Sequence, residues 1–281
     1  MSKITLVAVF FNEERKLPGY FKNVEGVADE IVIVDCSSTD ATAKICSRNG
    51  AKVIKSGYRY FEQNINKALS KVKKGDWALI LDADERLSDE LKREIRQAIL
   101  RKDADVFFMK RINYLFDGFS TKSSINTWLP RLFRKGAVRY EHGIPHEPPK
   151  IYGRGARLPS LFFHYAYPGV QEYVKKMEEY LFQMPIEYAK TGRNKVRSSE
   201  RDRRISRLFG DHGLRMMFLY PIVATINLLL RHRLILDGMR GIIYSICGGI
   251  SVFLEEAAHY QQQSTAKRGI RIDWSREYPD R

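Results

Sequence analysis

Trp77-Ala78-Leu79-Ile80-Leu81-Asp82-Ala83-Asp84-Glu85-Arg86 is an apolar run, too short for a helix and rich in branched side chains, that ends abruptly in acid. Such a run reads as a buried strand. Side chains alternate along a strand, so Asp82 and Asp84 are expected on one side, where the chain leaves the sheet. Two carboxylates that close repel unless a cation lies between them. Hard divalent ions such as Mg²⁺ or Mn²⁺ take oxygen ligands, typically one or two carboxylates plus a substrate's phosphates. The carboxyl end of a strand is also where open α/β sheets bind ligands. The plainer alternative is an acidic turn before the next helix.

Working outward, the same rhythm recurs. Ile4 to Phe11 reads as a first strand rather than a signal peptide, because no small-residue cleavage site follows it. Leu17, Phe21 and Val24 give the next helix its apolar face. Ile31 to Val34 is a second strand, closed by Asp35-Cys36-Ser37-Ser38-Thr39-Asp40, which supplies caps for a helix ended by Asn49-Gly50. Lys52 to Ile54 is a third strand, and 61–73 is helical by pattern. Beyond the central run, Ser88 caps a helix with Asp89 and Glu90 in its first turn, and Val106 to Met109 forms a further strand. Strands alternating with helices predict a three-layer α/β fold with a mainly parallel central sheet.

Past Arg111, aromatics, prolines and glycines dominate to about Pro168, implying short strands and long loops. Helical spacing returns over 171–189, with Tyr173, Val174, Met177, Tyr180, Leu181 and Met184 on one stripe. A basic stretch over 193–215 precedes two uncharged runs, 216–230 and 241–254, bracketed by Arg231, Arg233 and Arg240. Each run falls short of the roughly 20 residues that span a bilayer, so they read as packed helices or as helices lying in a membrane interface. The adjacent arginines favour the interface. The divisions expected are 1–111 and 112–190, as nucleotide and acceptor halves of one domain, then a basic and apolar helical region over 191–262 and a loose tail over 263–281.

The net charge of +15, with a sequence pI near 9.7, favours anionic partners without choosing among them. Three scattered cysteines support neither a disulfide framework nor a zinc site, and a reducing compartment fits. Phe10-Phe11-Asn12-Glu13 holds no glycine where a dinucleotide fingerprint belongs, which argues against a Rossmann dehydrogenase, and no Walker sequence occurs. Acids after the first, second and fourth strands would meet the ligand instead. Carboxylates suit the hydrogen-bond donors of a base and the hydroxyls of a ribose.

These acids stand in a familiar order. Val7 to Glu14, Ile33 to Asp40, Asn64 and Leu81 to Glu85 together resemble the signature of inverting family-2 glycosyltransferases with a GT-A fold. Trp77, the Asp-Ala-Asp-Glu-Arg wording and His146-Glu147 resemble the lipopolysaccharide-core β-1,4-glucosyltransferase-like branch. The likeness covers about 4–190, with a weaker echo from Leu236-Asp237-Gly238 to about 260. It implies that Asp35 bonds the nucleotide base, while Glu13 and the Phe11 backbone frame the nucleoside. It implies that Asp82 contacts ribose or metal and that Asp84 ligates the divalent ion, Mg²⁺ or Mn²⁺. Gln63-Asn64 stands where many relatives carry Arg-Asn, which removes a cation near the nucleotide.

Inversion at a sugar carbon needs a general base within reach of the acceptor hydroxyl. Glu147 is the first candidate and Glu141 the reserve. His146 would orient Glu147 or bind phosphate, His164 would reach diphosphate or metal, and Trp128 would stack on an acceptor sugar. Arg131 and Arg134 would suit a phosphate. The expected function is transfer of a hexose, UDP-glucose being the first donor, to a lipid-linked or envelope glycan. The expected place is the cytoplasmic face of an anionic membrane, with no nucleic-acid partner. The rivals are a sugar-phosphate nucleotidyltransferase and a basic nucleic-acid-binding protein.

Overall fold

The computed structural model describes residues 2–57, 61–141, 149–178, 181 and 214–268. It divides into two compact units, residues 1–113 with 126–165, and residues 114–125 with 166–281. In the first unit β1 (Ile4–Phe10), β2 (Glu30–Asp35), β3 (Lys52–Lys55) and β4 (Trp77–Ile80) run parallel in the order β3-β2-β1-β4. This is the parallel half that the strand–helix alternation predicts. The further strands are β5 (Glu85–Leu87), β6 (Val106–Leu115), β7 (Gly118–Phe119), β8 (Trp128–Arg134) and β11 (Gly155–Tyr167), with β9 (Val138–Arg139) and β10 (Lys150–Ile151) paired separately. The sheet continues β4-β8-β6-β11-β5, with β8 antiparallel to both neighbours and β5 antiparallel to β11. The switch follows the change of sequence character past Arg111, because no crossover helix separates β6 from β8.

Alternation along β1 builds the layers. Ile4, Leu6, Ala8 and Phe10 face one core with Leu17, Tyr20, Phe21, Leu91 and Ile95 from α1 (Leu17–Val24) and α4 (Asp89–Ala98). Val7 faces a second core with Ile65, Ala68 and Leu69 from α3 (Phe61–Leu69), while α2 (Thr42–Arg48) contributes Cys46 to the first. Trp77 is fully buried and stacks on Phe107 with ring centroids 5.5 Å apart. Ser88 caps α4 as predicted, its hydroxyl accepting from the Leu91 N–H at 3.2 Å. The helix predicted over 61–73 closes at Leu69.

In the second unit β7 folds back on the end of β6, pairing Tyr114 with Phe119. A helical stretch covers 170–178, with Tyr173 buried and Val174 exposed, so Val174 leaves the predicted stripe; Tyr180 and Met184 lie outside the described residues. Then come α5 (Leu214–Ile226), a π-helical turn (Asn227–Arg231), a 3-10 turn (Leu234–Asp237) and α6 (Met239–Lys267). A Cβ added at Gly249 would sit 3.0 Å from the Pro221 carbonyl oxygen, so glycine permits the close approach of α5 and α6. Two expectations are corrected. The tail predicted to be loose over 263–281 remains helical to Lys267, and the apolar window Met239–Ala258 reaches 20 residues with mean hydropathy 1.3. By length and composition alone that window is long enough to cross a membrane.

Candidate active site

β1 lies between β2 and β4, so three strands deliver their carboxyl ends side by side. Asp35 stands opposite Phe10, and Val7 opposite Ile80, which brings Asp82 two residues past the end of β4. Neighbouring strands are about 4.8 Å apart, so the ends of β2 and β4 are separated by roughly 10 Å. The loops after β1 and β2 are laced together. The Asn12 N–H donates to Ser38 Oγ at 3.0 Å and Thr39 N–H to Asn12 Oδ1 at 2.8 Å. The Glu13 N–H donates to Thr42 Oγ1 at 2.7 Å, and Ala41 N–H to Glu14 Oε2 at 2.9 Å. Asn12 and Ser37 take φ values of 53° and 62°, a left-handed backbone that non-glycine residues keep only where neighbours enforce it.

Inside this frame Asp35 is 2 % exposed. Its Oδ2 accepts from the Ser38 N–H at 3.3 Å, while its Oδ1 has no hydrogen-bond partner among the described residues. A buried carboxylate oxygen without a donor is costly, and such an acceptor suits the N–H or O–H of a ligand. Asn64 of α3 reaches the same corner, donating from Nδ2 to Cys36 Sγ at 3.0 Å. Burial and the neighbouring Asp35 push the Cys36 thiol up to about 11, so it stays protonated. Phe11 is exposed beside the loops, and Glu13 is held by Lys16 at 2.6 Å.

The central acidic segment departs from expectation. The strand stops at Ile80, and residues 82–85 form a tight turn in which the Glu85 N–H donates to the Asp82 carbonyl at 3.0 Å. Burial still alternates, with Leu81, Ala83 and Glu85 inside and Asp82 and Asp84 partly open. Glu85 is fully buried and accepts from the Asp82 N–H at 2.9 Å and from Arg131 Nη2 at 2.5 Å. Arg131 Nη2 also donates to Asp82 Oδ2 at 2.9 Å. Burial pushes the Glu85 carboxyl above the ordinary carboxylate range, against the downward pull of Arg131.

Asp84 turns the other way. Its carbonyl accepts from the Tyr165 N–H at 2.8 Å, and its Oδ1 lies 3.5 Å from Nε2 of His164. His164 stands opposite Glu85 in the β5–β11 ladder, which fixes its approach to the turn. A carboxylate and an imidazole nitrogen facing each other at that distance fit a divalent cation. Among the described residues no three His, Cys, Asp or Glu side chains converge on one point. The donor set therefore suits an ion that takes its remaining ligands from water and from a substrate's phosphates.

The other predicted residues fall as follows. Arg131, predicted to hold a phosphate, is instead buried between Asp82 and Glu85, so its charge is taken up within the protein. Asp82 shares an oxygen with that guanidinium, while Asp84, the less exposed of the two side chains, faces His164. Trp128 is partly buried, with the Arg157 guanidinium 4.7 Å from its ring centroid, so one face is covered. Arg134 lies over the Trp77 ring at 4.5 Å and beside Asp105, away from the acidic turn's hydrogen bonds. Glu141 pairs with Lys150 at 2.6 Å. Glu147 and His146 lie outside the described residues. Sequence reasoning missed Glu85 as a structural acid, and the one signal for it was its place directly after the Asp-Ala-Asp triplet.

Comparison with known proteins gives this geometry its family. The model of Glycosyl transferase family 2 matches residues 5–154, more than half of the chain. An uncharacterized glycosyltransferase of Rickettsia typhi is 26 % identical over 207 residues, covering 69 % of this chain and 70 % of the relative. One of Rickettsia bellii is 34 % identical over 119 residues, covering 40 % of this chain and 38 % of its own length. Among solved structures, S. aureus TarS 1-349 aligns over 95 % of this chain and 92 % of that one, at 14 % identity and a TM-score of 0.49. The matched region takes in all three acidic strand ends and Arg131, and the chain belongs to glycosyl transferase family 2.

Proposed function

We propose that the protein transfers a hexose, with inversion, from a uridine-diphosphate sugar to a hydroxyl of a lipid-linked or envelope glycan, in the manner of the lipopolysaccharide-core β-1,4-glucosyltransferase-like branch, with UDP-glucose the first donor to test. The observation that carries the reading is the buried Oδ1 of Asp35, without a hydrogen-bond partner among the described residues, at the head of a row of three adjacent strand ends. An acceptor in that position suits a pyrimidine N–H. Asp82 beside it suits the ribose or metal, and Asp84 with His164 would hold Mg²⁺ or Mn²⁺. When bound, that ion would offset the charge of the departing diphosphate. Glu147 is proposed as the base that takes the acceptor proton, with Glu141 less suited because Lys150 engages it.

A thermal-shift panel of nucleotide sugars with and without Mn²⁺ tests this. A donor present at about 100 times its Kd adds about 2.7 kcal/mol of stability, so the preferred sugar stands out from the panel. Asp35→Asn, which replaces half of the carboxylate acceptor by a donor, is expected to abolish the preference for uridine over other bases. A panel in which no uridine-diphosphate sugar exceeds the other nucleotides would sink the assignment.

The membrane face is proposed on a separate observation. At the elbow between α5 and α6, Leu230, Ile235, Leu236 and Met239 are 49–68 % exposed beside exposed Arg231 and Arg233. Bulky apolar side chains mixed with exposed arginines suit the boundary between acyl chains and anionic headgroups. Each such arginine contributes about 1 kcal/mol near an anionic surface. Replacing both Arg231 and Arg233 by Gln should therefore weaken sedimentation with phosphatidylglycerol vesicles roughly 30-fold. Equal sedimentation of the variant and the parent would refute that orientation.

A further inference from the structure

The residues behind His164 dictate which of its ring nitrogens carries the proton. The backbone N–H of Asn113 donates at 3.0 Å to Oδ1 of Asn126. A backbone N–H can only donate, so the Asn126 atom it meets is the amide oxygen. That same oxygen lies 3.3 Å from the Asn113 amide, which must therefore present Nδ2 to it. The Asn113 Oδ1 is thus turned to the other side, 2.9 Å from Nδ1 of His164. An amide oxygen only accepts, so Nδ1 must donate, and in the neutral ring Nε2 then holds a bare lone pair. That lone pair looks at Asp84 Oδ1 across 3.5 Å.

Without the acceptor at Nδ1, the carboxylate of Asp84 would draw the ring proton to Nε2, and the imidazole would become a hydrogen-bond donor to it. Asn113 prevents this by competing from the opposite side of the ring. We propose that Asn113, itself aligned by Asn126, is a positioning residue that locks His164 as the Nδ1–H tautomer, so that Nε2 and Asp84 together present two electron pairs to a divalent cation. The cation is part of the glycosyl-transfer reading above, on which this inference rests; the tautomer lock stands on the hydrogen bonds alone. Outer-shell partners of this kind typically change metal affinity 10- to 100-fold when removed.

Nitrogen-15 NMR of the metal-free protein reads the tautomer directly, with the His164 signals assigned by their loss in His164→Gln. The expected wild-type spectrum, in the neutral state, places Nδ1 in the protonated range and Nε2 in the unprotonated range. Asn113→Ala is expected to move the proton to Nε2 and to weaken Mn²⁺ binding, followed by electron paramagnetic resonance of the free ion with UDP present, by 10- to 100-fold. Asn113→Asp keeps an acceptor at Nδ1 and should retain the wild-type tautomer. A wild-type ring protonated on Nε2 overturns the proposal, as does an Asn113→Ala protein whose tautomer is unchanged. The expected tautomer in a wild-type protein that binds no Mn²⁺ would uphold the lock and overturn instead the reading of Asp84 and His164 as a cation site.

Discussion

Asp84→Asn is expected to lower kcat for sugar transfer roughly 100- to 1,000-fold, equivalent to about 2.7–4 kcal/mol of transition-state stabilisation. The fold should survive the change, because the Asp84 carbonyl, which receives the Tyr165 N–H at 2.8 Å, is untouched and asparagine keeps the size of the side chain. What is lost is one negative charge facing His164 at 3.5 Å. Asp82→Asn makes the informative contrast. Asp82 Oδ2 accepts from Arg131 at 2.9 Å, so neutralising it loosens a buried cation as well as the ligand site. Asp84→Asn should lose activity with little change in Tm, whereas Asp82→Asn should lose both. Full turnover by a folded Asp84→Asn enzyme, with an unchanged dependence on Mn²⁺ concentration, would falsify the role given to this carboxylate.

That contrast between two aspartates lies at the limit of what sequence reveals. The strand ends were legible because each couples a short branched apolar run to an acid, and because Ser88 and the Asp35 to Asp40 cluster punctuate the chain with caps. Parallel order then follows from the crossover helices. What local pattern cannot carry is pairing at long range. Glu85 looks like one more surface acid at a helix start, yet β11 pairs with β5 from more than seventy positions away and seals it in. Arg131 looks like a phosphate hand because a guanidinium suits a phosphate by bidentate contact, yet β8 turns it inward, against the Phe162 ring at 5.6 Å and onto two acids. Asn113 and Asn126 carry no motif at all. Their roles exist only because a hydrogen-bond chain passes direction from one amide to the next.

The second large effect concerns stability. Arg131→Met is expected to cost about 3–5 kcal/mol at pH 8, seen as a fall in Tm on the order of 10 °C. Arg131 is 6 % exposed and supplies the only positive charge hydrogen-bonded to the fully buried Glu85 among the described residues. Methionine fills comparable space but leaves Glu85 with the Asp82 N–H at 2.9 Å as its remaining hydrogen-bond donor among the described residues. The carboxyl already titrates above its ordinary range because it is buried, and losing the guanidinium removes the one strong downward pull, so its folded pKa rises further. An acid with a raised folded pKa binds more protons folded than unfolded. Stability therefore falls as pH climbs from the unfolded value toward the folded one, by about 1.4 kcal/mol per pH unit for one proton. Arg131→Met should accordingly be nearer to wild type at pH 5 than at pH 8. Adding Glu85→Gln removes the ionisable group, so the double variant should recover stability at pH 8 and lose the added slope. If Arg131→Met melts within a degree or two of the parent across that range, the buried acid–guanidinium pair is not what holds the turn in place.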